Sequence, residues 1–250
     1  LYDEAIPALS ERKRLLEENI KAHDSNKIFQ ALSKFYGVDV PSEDFHVHLL
    51  FNGCSGLDSS LGGANIIPAN HITLHPGDLK VSGTTMVRGD LETVYHEIAH
   101  YFEKGVAKDK IQAYYSLIAS AGLDEMDDMI LREGIAHSLF PYGVLSVAIG
   151  SESKIGNFIH IDVPCREDKR GRHAGYMIAK LSAHLEKLTI GHLQKGLSIF
   201  EEEYLQEAIA TYKTLKENVH YRPFQSELRY RQKLYPLEYE NVIEVHSRPF

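Results

Sequence analysis

Two histidines four residues apart, His96 and His100, flank a glutamate, Glu97, in the pattern H-E-x-x-H. On a helix, residues four apart lie on the same face, so both imidazoles can reach one metal ion. The carboxylate between them then lies beside the metal, where it can take a proton from a water molecule. Neutral imidazoles bind Zn²⁺, and the ion lowers the pKa of water towards neutrality. The pattern therefore predicts a zinc site with Glu97 as general base.

The residues around the motif favour the helix that this chemistry requires. Asp90 is the predicted N-cap, and Glu92 falls in the first turn, where its charge suits the helix dipole. Composition alone would produce H-E-x-x-H about 0.07 times in a chain of this length. Apolar residues also recur at helical spacing through the motif: Leu91, Val94, Tyr95, Ile98 and Phe102.

A third ligand is predicted at Glu133, which follows His100 by 33 residues. Its segment is predicted to be a helix with Asp124 as N-cap and Pro141 closing it. Two imidazoles and one carboxylate would leave a fourth position open, as catalytic zinc requires. Gly134 would allow this helix to approach the helix that carries H-E-x-x-H closely. A solvated surface glutamate is the alternative role for Glu133.

The pair H-E-I-A-H and E-G-I-A resembles the gluzincins, the metallopeptidase clan that includes thermolysin and the zinc aminopeptidases. The likeness is closest to small bacterial members, covers about residues 45–205 and rests on these two short motifs. It implies an α+β, zincin-like fold, with a small twisted sheet over the active-site helix and a mainly helical C-terminal half. It further implies that His96, His100 and Glu133 bind zinc, that Glu97 is the general base, and that the substrate is a peptide or protein.

Three departures limit the resemblance. The metzincin extension of H-E-x-x-H needs a glycine and a histidine where this chain has Glu103 and Val106, which excludes that group. Thermolysin-like enzymes carry an aspartate where this chain has His137, which could orient a ligand, bind the metal itself or be an ordinary helix residue. The amine-binding glutamate of the aminopeptidases has no counterpart in residues 62–65, Gly-Gly-Ala-Asn, so that specificity is not supported.

Gluzincins also carry a tyrosine or histidine that stabilises the oxyanion of the tetrahedral intermediate. It comes from the helical half of the domain, after the glutamate ligand. Tyr176, near the start of a predicted helix over residues 175–188, is the first candidate, and His173 is the second. The chain has 14 tyrosines, so a core or surface role is the alternative for either residue.

The rest of the chain is predicted to form one zincin-like domain, residues 1–250, with lobes of roughly 1–105 and 106–250. Helices are expected within residues 2–36, 107–121 and 199–215, strands at 45–51 and 70–76, and a loop at 52–69. Strand 70–76 precedes the motif. It is expected to be an edge strand that pairs with extended substrate, with an ordinary core strand as the alternative.

Charge and composition limit the classes of partner that are expected for this chain. The net charge of −8, without an extended basic run, argues against nucleic acid. No apolar stretch is long enough for a transmembrane segment. Cys54 and Cys165 fall in predicted loops outside any C-x-x-C pattern, so they form either one disulfide or two free thiols. The compartment is open, with a secreted or periplasmic location preferred, and the oligomeric state is open too.

The leading functional hypothesis is a zinc-dependent peptidase that uses a metal-activated water. One alternative is a non-catalytic protein that keeps the zincin fold as a binding or scaffolding module. The intact Glu97 argues against it, since an inactive site has no need of a base. The other alternative is a zinc hydrolase that acts on a non-peptide bond.

Overall fold

The structure is a computed structural model that describes residues 2–50, 63–67, 70–75, 84–141, 143–151 and 172–218. Within these ranges the chain is mainly helical with one small sheet, and it is an α+β protein. The helices are α1 Tyr2–Ala22, α2 Ser25–Tyr36, α3 Thr84–Lys104, α4 Lys108–Ser120, α5 Glu125–Leu139, α6 Arg172–Lys195 and α7 Glu202–Asn218; the strands are β1 His46–Leu49, β2 Gly63–Ile67 and β3 His71–His75; and a 3₁₀-helix spans Val144–Ile149.

The three described strands lie in the order β1-β3-β2. β1 runs parallel to β3 with His46 opposite His71, and β2 runs antiparallel to β3 with Ile67 opposite His71. Two sequence predictions are therefore wrong: residues 63–67 form a strand instead of a loop, and the strand before α3 is central instead of an edge. Alternation predicts which face of a strand is buried, but strand order depends on pairing partners far away in the chain.

The sheet lies against α3 through its apolar side chains. Ile72 and Leu74 of β3 are buried, whereas His71 and Thr73 on the opposite face are partly exposed. α3 also packs against α1, α2 and α5. All five apolar residues predicted to face the core from this helix are buried: Leu91, Val94, Tyr95, Ile98 and Phe102.

The helix that carries His96 and His100 begins earlier than predicted. α3 starts at Thr84, so Asp90 lies inside the helix and the prediction that it is an N-cap is wrong. Asp90 instead forms a buried ion pair with Arg12 of α1, with 2.7 Å between Oδ2 and Nε. Burial raises the pKa of Asp90 to about 6, although the nearby guanidinium acts in the opposite direction. Asp90 therefore pairs with a residue of another helix instead of capping the N-terminus of its own helix.

α5 begins and ends where the sequence predicted. Asp124 accepts hydrogen bonds from the backbone N–H groups of Met126 and Asp127, and the Asp127 side chain accepts one from Asp124 N–H, which completes a capping box. The helix ends at Leu139, and the Phe140–Pro141 peptide that follows is cis. This boundary places Glu133 in the penultimate turn of α5.

Close approach of α5 and α6 depends on Gly134. A Cβ atom at this position would lie 2.6 Å from Leu181 Cδ2, well inside van der Waals contact. Gly134 therefore allows close approach to α6, and not, as the sequence predicted, to the helix that carries H-E-x-x-H. α6 is longer than predicted, and α7 packs against both α6 and α5.

A single core cluster extends from Leu16 on α1 to Tyr212 on α7. Among the described helices, none is both long and apolar enough to span a bilayer. The division into lobes at residue 105 stays a prediction.

Candidate metal centre

Helices α3 and α5 bring His96, His100 and Glu133 together. The two Nε2 atoms are 3.1 Å apart. Glu133 Oε2 lies 3.3 Å from His96 Nε2, and Glu133 Oε1 lies 3.3 Å from His100 Nε2. Within the described part of the chain, this is the one group of three or more His, Cys, Asp or Glu side chains whose ligand atoms lie within 4.8 Å of one another.

These separations match the spacing of ligands around one small cation. In a tetrahedral site with bonds of about 2.0–2.1 Å, neighbouring ligand atoms lie about 3.3 Å apart, since a tetrahedron's edge is about 1.63 times its centre-to-corner distance. The two Nε2 atoms lie 3.1 Å apart, and each lies 3.3 Å from a different oxygen of the Glu133 carboxylate, so all three separations are close to that value. The three side chains therefore form a triangle of ligands. The group could therefore hold a metal ion with a fourth position left open.

Hydrogen bonds on the far side of each imidazole direct its Nε2 towards this triangle. His96 Nδ1 lies 2.9 Å from the carbonyl oxygen of Phe140, so it must carry the proton and donate it. His100 Nδ1 lies 3.2 Å from Glu103 Oε2 and donates in the same way. Protonation at Nδ1 leaves the Nε2 lone pair available to a metal, and such contacts fix both tautomer and ring orientation.

The charges at the site favour a cation between these side chains. Burial lowers the pKa of His100, but the carboxylates of Glu103 and Glu133 together outweigh it and raise the pKa to about 9. Burial raises the pKa of Glu133, yet hydrogen bonds from His100 and His96 outweigh burial and hold it well below its ordinary value. These pKa shifts of His100 and Glu133 apply to the side chains without a metal. In that state a bound proton supplies the positive charge that the two carboxylates attract.

Glu103 belongs to a chain of polar contacts that joins three helices. Its second oxygen accepts a hydrogen bond from Arg132 Nε of α5. Nη1 of the same guanidinium lies 4.0 Å from Asp128 Oδ2, and Asp128 Oδ1 accepts a 2.6 Å hydrogen bond from the Tyr114 hydroxyl of α4. The orientation of His100 is thus connected through side chains to α4.

A second set of contacts supports His96 through the backbone at Phe140. The Phe140 ring stacks on Tyr95, with centroids 5.3 Å apart and planes inclined by 24°. The Tyr95 hydroxyl in turn hydrogen-bonds to His23 at 2.6 Å and Ser25 at 2.8 Å. The N-terminal helices therefore help to position the carbonyl group that orients His96.

His137 packs beside the site but is not part of the ligand triangle. Its ring lies 4.6 Å from the His96 ring, centroid to centroid, and its Nε2 lies 4.0 Å from Glu133 Oε2, which is too long for a hydrogen bond. Burial, together with the neighbouring His96, lowers the pKa of His137 to about 3. The His137 ring therefore packs against the His96 ring at the edge of the site.

The remaining predicted residues are placed only in part. Glu97 lies on α3 between the two histidines and is partly buried. His173 and Tyr176 fall in the first two turns of α6, and their side chains lie outside the described residues. Cys54 and Cys165 lie outside them as well.

Sequence reasoning missed the groups that orient the imidazoles. Glu103 follows His100 by three residues and Arg132 immediately precedes Glu133, so helical spacing could have indicated both. The Phe140 carbonyl has no sequence signal, since every residue carries one.

No protein-family model matches this chain, and comparisons with the curated proteins and with the solved structures likewise found no match.

Proposed function

We propose that this chain is a zinc-dependent metallopeptidase of the gluzincin type. The observation that supports the proposal best is the convergence of His96 Nε2, His100 Nε2 and the Glu133 carboxylate, with both Nδ1 atoms engaged elsewhere. Two imidazoles and one carboxylate are the ligand set of catalytic zinc in several peptidases. The α+β fold, with a small sheet against α3 and helices after it, is compatible with the zincin-like fold that we propose.

A bound zinc ion would supply a Lewis acid that polarises a carbonyl group and makes water acidic at neutral pH. Glu97 follows His96 directly on α3, so its carboxylate would lie near the metal. There it takes the proton of the attacking water and passes it to the leaving amine. Tyr176 or His173 donates a hydrogen bond to the oxyanion from the first turns of α6.

Extended substrate would pair with β2. The strand first expected to take this role, β3, has neighbours on both sides, whereas β2 is at an edge of the described sheet and packs against α3. An edge strand offers unpaired backbone N–H and C=O groups that can bind an extended peptide.

The first test combines metal analysis with activity on a broad peptide library, with and without a chelator. We expect one zinc ion per chain and chelator-sensitive cleavage. Glu97→Gln should keep the metal and the fold but lose about a hundredfold or more in turnover. Glu125→Gln, at an exposed position on α5, is the matched control and should behave as wild type. Full activity of Glu97→Gln would contradict the assigned base.

A second pair of variants separates the oxyanion candidates. Tyr176→Phe should lower kcat more than it raises KM, because the hydrogen bond forms chiefly in the transition state. One lost donor of this kind costs on the order of 3 kcal/mol. If Tyr176→Phe behaves as wild type and His173→Ala is impaired, the role belongs to His173. Zinc binding without cleavage of any peptide would favour the binding-module alternative.

A further inference from the structure

A cavity of about 250 Å³ lies beside the polar contacts that orient His100. Most of its wall is apolar, from helices α4 and α5, the segment just before α7 and the first turn of α7. Its polar lining includes Glu103, Lys104, Arg132 and the hydroxyl groups of three tyrosines, Tyr36, Tyr114 and Tyr115. Its apolar lining includes Ile111, Ile135 and Phe200. Apolar walls with a few converging polar groups are the usual form of a small-molecule site.

The polar groups of the cavity favour a negatively charged ligand. Glu103 already contacts His100 with one oxygen and Arg132 with the other. The cationic groups in the wall are the Arg132 guanidinium and the Lys104 ammonium, so they outnumber this one engaged carboxylate. A carboxylate suits a planar guanidinium, because it can accept two parallel hydrogen bonds.

Tyr36 provides an independent indication of a ligand. The residue is 1% exposed, and among the described residues its hydroxyl has no hydrogen-bond partner. The hydroxyl is not among the fully buried polar atoms that lack a partner, so it is accessible from the cavity that Tyr36 lines and can donate to a ligand or water there. Burial, reinforced by the nearby charge of Glu103, raises the pKa of Tyr36 well above its ordinary value, so the phenol stays protonated and can donate.

We infer that this cavity binds a small carboxylic acid with an aromatic or branched aliphatic group, whose carboxylate contacts Arg132, Lys104 and Tyr36. Size supports the assignment. A cavity of about 150 Å³ holds one benzene ring, so the 250 Å³ here leaves room for a ring and a carboxylate. Ile111, Ile135 and Phe200 would contact the apolar part of the ligand.

Such a ligand would also act on the metal centre, and this second part rests on the proposed zinc site. The ligand's carboxylate would share Arg132 with Glu103, which leaves Glu103 more basic as the acceptor for His100 Nδ1–H. A more basic acceptor strengthens His100 as a metal ligand, and the added negative charge attracts the cation as well. Both effects have the same sign, so ligand and zinc should each raise the affinity for the other.

Calorimetry on the metal-free protein measures the binding of phenylacetate, the probe, and of phenylacetamide, its uncharged analogue. Phenylacetate has about ten non-hydrogen atoms, for which a Kd of about 1 mM or tighter is expected. Phenylacetamide should bind at least about tenfold more weakly, since it lacks the charge. Equal affinity for the two compounds, or no binding of either, would overturn the inference.

Three variants locate the bound probe. Ile111→Phe should abolish binding because it fills the cavity, and Leu117→Phe on the same helix is the matched control, since Leu117 does not line it. Tyr36→Phe removes one hydroxyl and should weaken phenylacetate binding about tenfold. Undiminished binding to Ile111→Phe would place the probe elsewhere and refute the assignment.

The coupling is measured as the zinc affinity with and without saturating phenylacetate. We expect an increase of about fivefold, within the usual range for linked sites. Ile111→Phe should abolish this increase, whereas direct contact of phenylacetate with the metal would persist in that variant. Probe binding without any change in zinc affinity would refute the coupling. Failure of zinc to bind at all would refute the proposed function, while the metal-free binding result would still decide the cavity's ligand.

Discussion

Glu103 is the residue whose replacement tests most directly how the metal centre is held together. Its side chain is 12% exposed and accepts from His100 Nδ1 at 3.2 Å, so solvent screens the contact little. Groups that orient a metal-binding histidine in this way typically contribute 10–100-fold to metal affinity. That range corresponds to about 1.4–2.7 kcal/mol.

The two substitutions at Glu103 should differ. Glu103→Ala removes the acceptor and allows the His100 ring to rotate, so zinc affinity should fall about a hundredfold. Glu103→Gln keeps an acceptor oxygen but loses the charge, so we expect a loss nearer tenfold. Arg132 is 37% exposed and can be solvated when its partner is removed. The free energy of unfolding should therefore fall by only about 1–3 kcal/mol.

Competition against a chromogenic chelator at pH 7 measures the zinc affinity of each variant, and urea unfolding shows whether the variant is folded. Glu125→Ala is the exposed control. A Glu103→Ala protein that is folded and binds zinc as tightly as wild type would refute the orienting role. Equal losses in Glu103→Ala and Glu103→Gln would show that charge, and not orientation, is what matters.

Three further results concern the stability of the fold and are measured without a metal. Gly134→Ala should lower the free energy of unfolding by about 1–3 kcal/mol, because the new methyl group meets Leu181; an unchanged urea midpoint would show that α6 can move aside at little cost. Asp127→Asn should cost about 1–3 kcal/mol, since the buried carboxylate binds Lys216 Nζ at 2.7 Å and the Tyr212 hydroxyl at 2.6 Å. The effect of Asp127 should also depend on pH. Burial raises its pKa, but Lys216 and Tyr212 outweigh burial and lower it, so its contribution is present above the ordinary aspartate pKa of about 4 and is lost as pH falls. The difference between wild type and Asp127→Asn in urea unfolding should shrink from pH 6 to pH 3, and a constant difference would contradict this assignment.

Local spacing predicted the parts of the structure that depend on neighbours in sequence. The four-residue interval between His96 and His100 puts both imidazoles on one face of any helix. Asp124 could be recognised as an N-cap because its hydrogen bonds reach only the next turn. Local spacing alone could not predict that Glu133 contacts the two histidines, since a helical pattern does not say which other helix a side chain will meet.

The errors lie where distant residues compete with local preference. Asp90 has the side chain of an N-cap, but it pairs with Arg12, 78 positions earlier (90 − 12), and the helix continues past it. β3 has the alternation of a half-buried strand, which fits either an edge or a central position. Pairing between residues far apart in the chain determines that β1 and β2 lie on either side of β3.

Packing of α3 against α5 has a consequence for the energetics of metal binding. His100 and Glu133 are separated by 33 residues. Bringing the ends of a flexible segment of that length together costs about 3 kcal/mol of chain entropy, before any constant term. Here the apolar faces of the two helices already hold the segment closed. Little of the binding free energy of an ion would therefore be lost to closing the segment between His100 and Glu133. Nearly all of that free energy would appear as added resistance to unfolding, which rises with the logarithm of the free ion concentration.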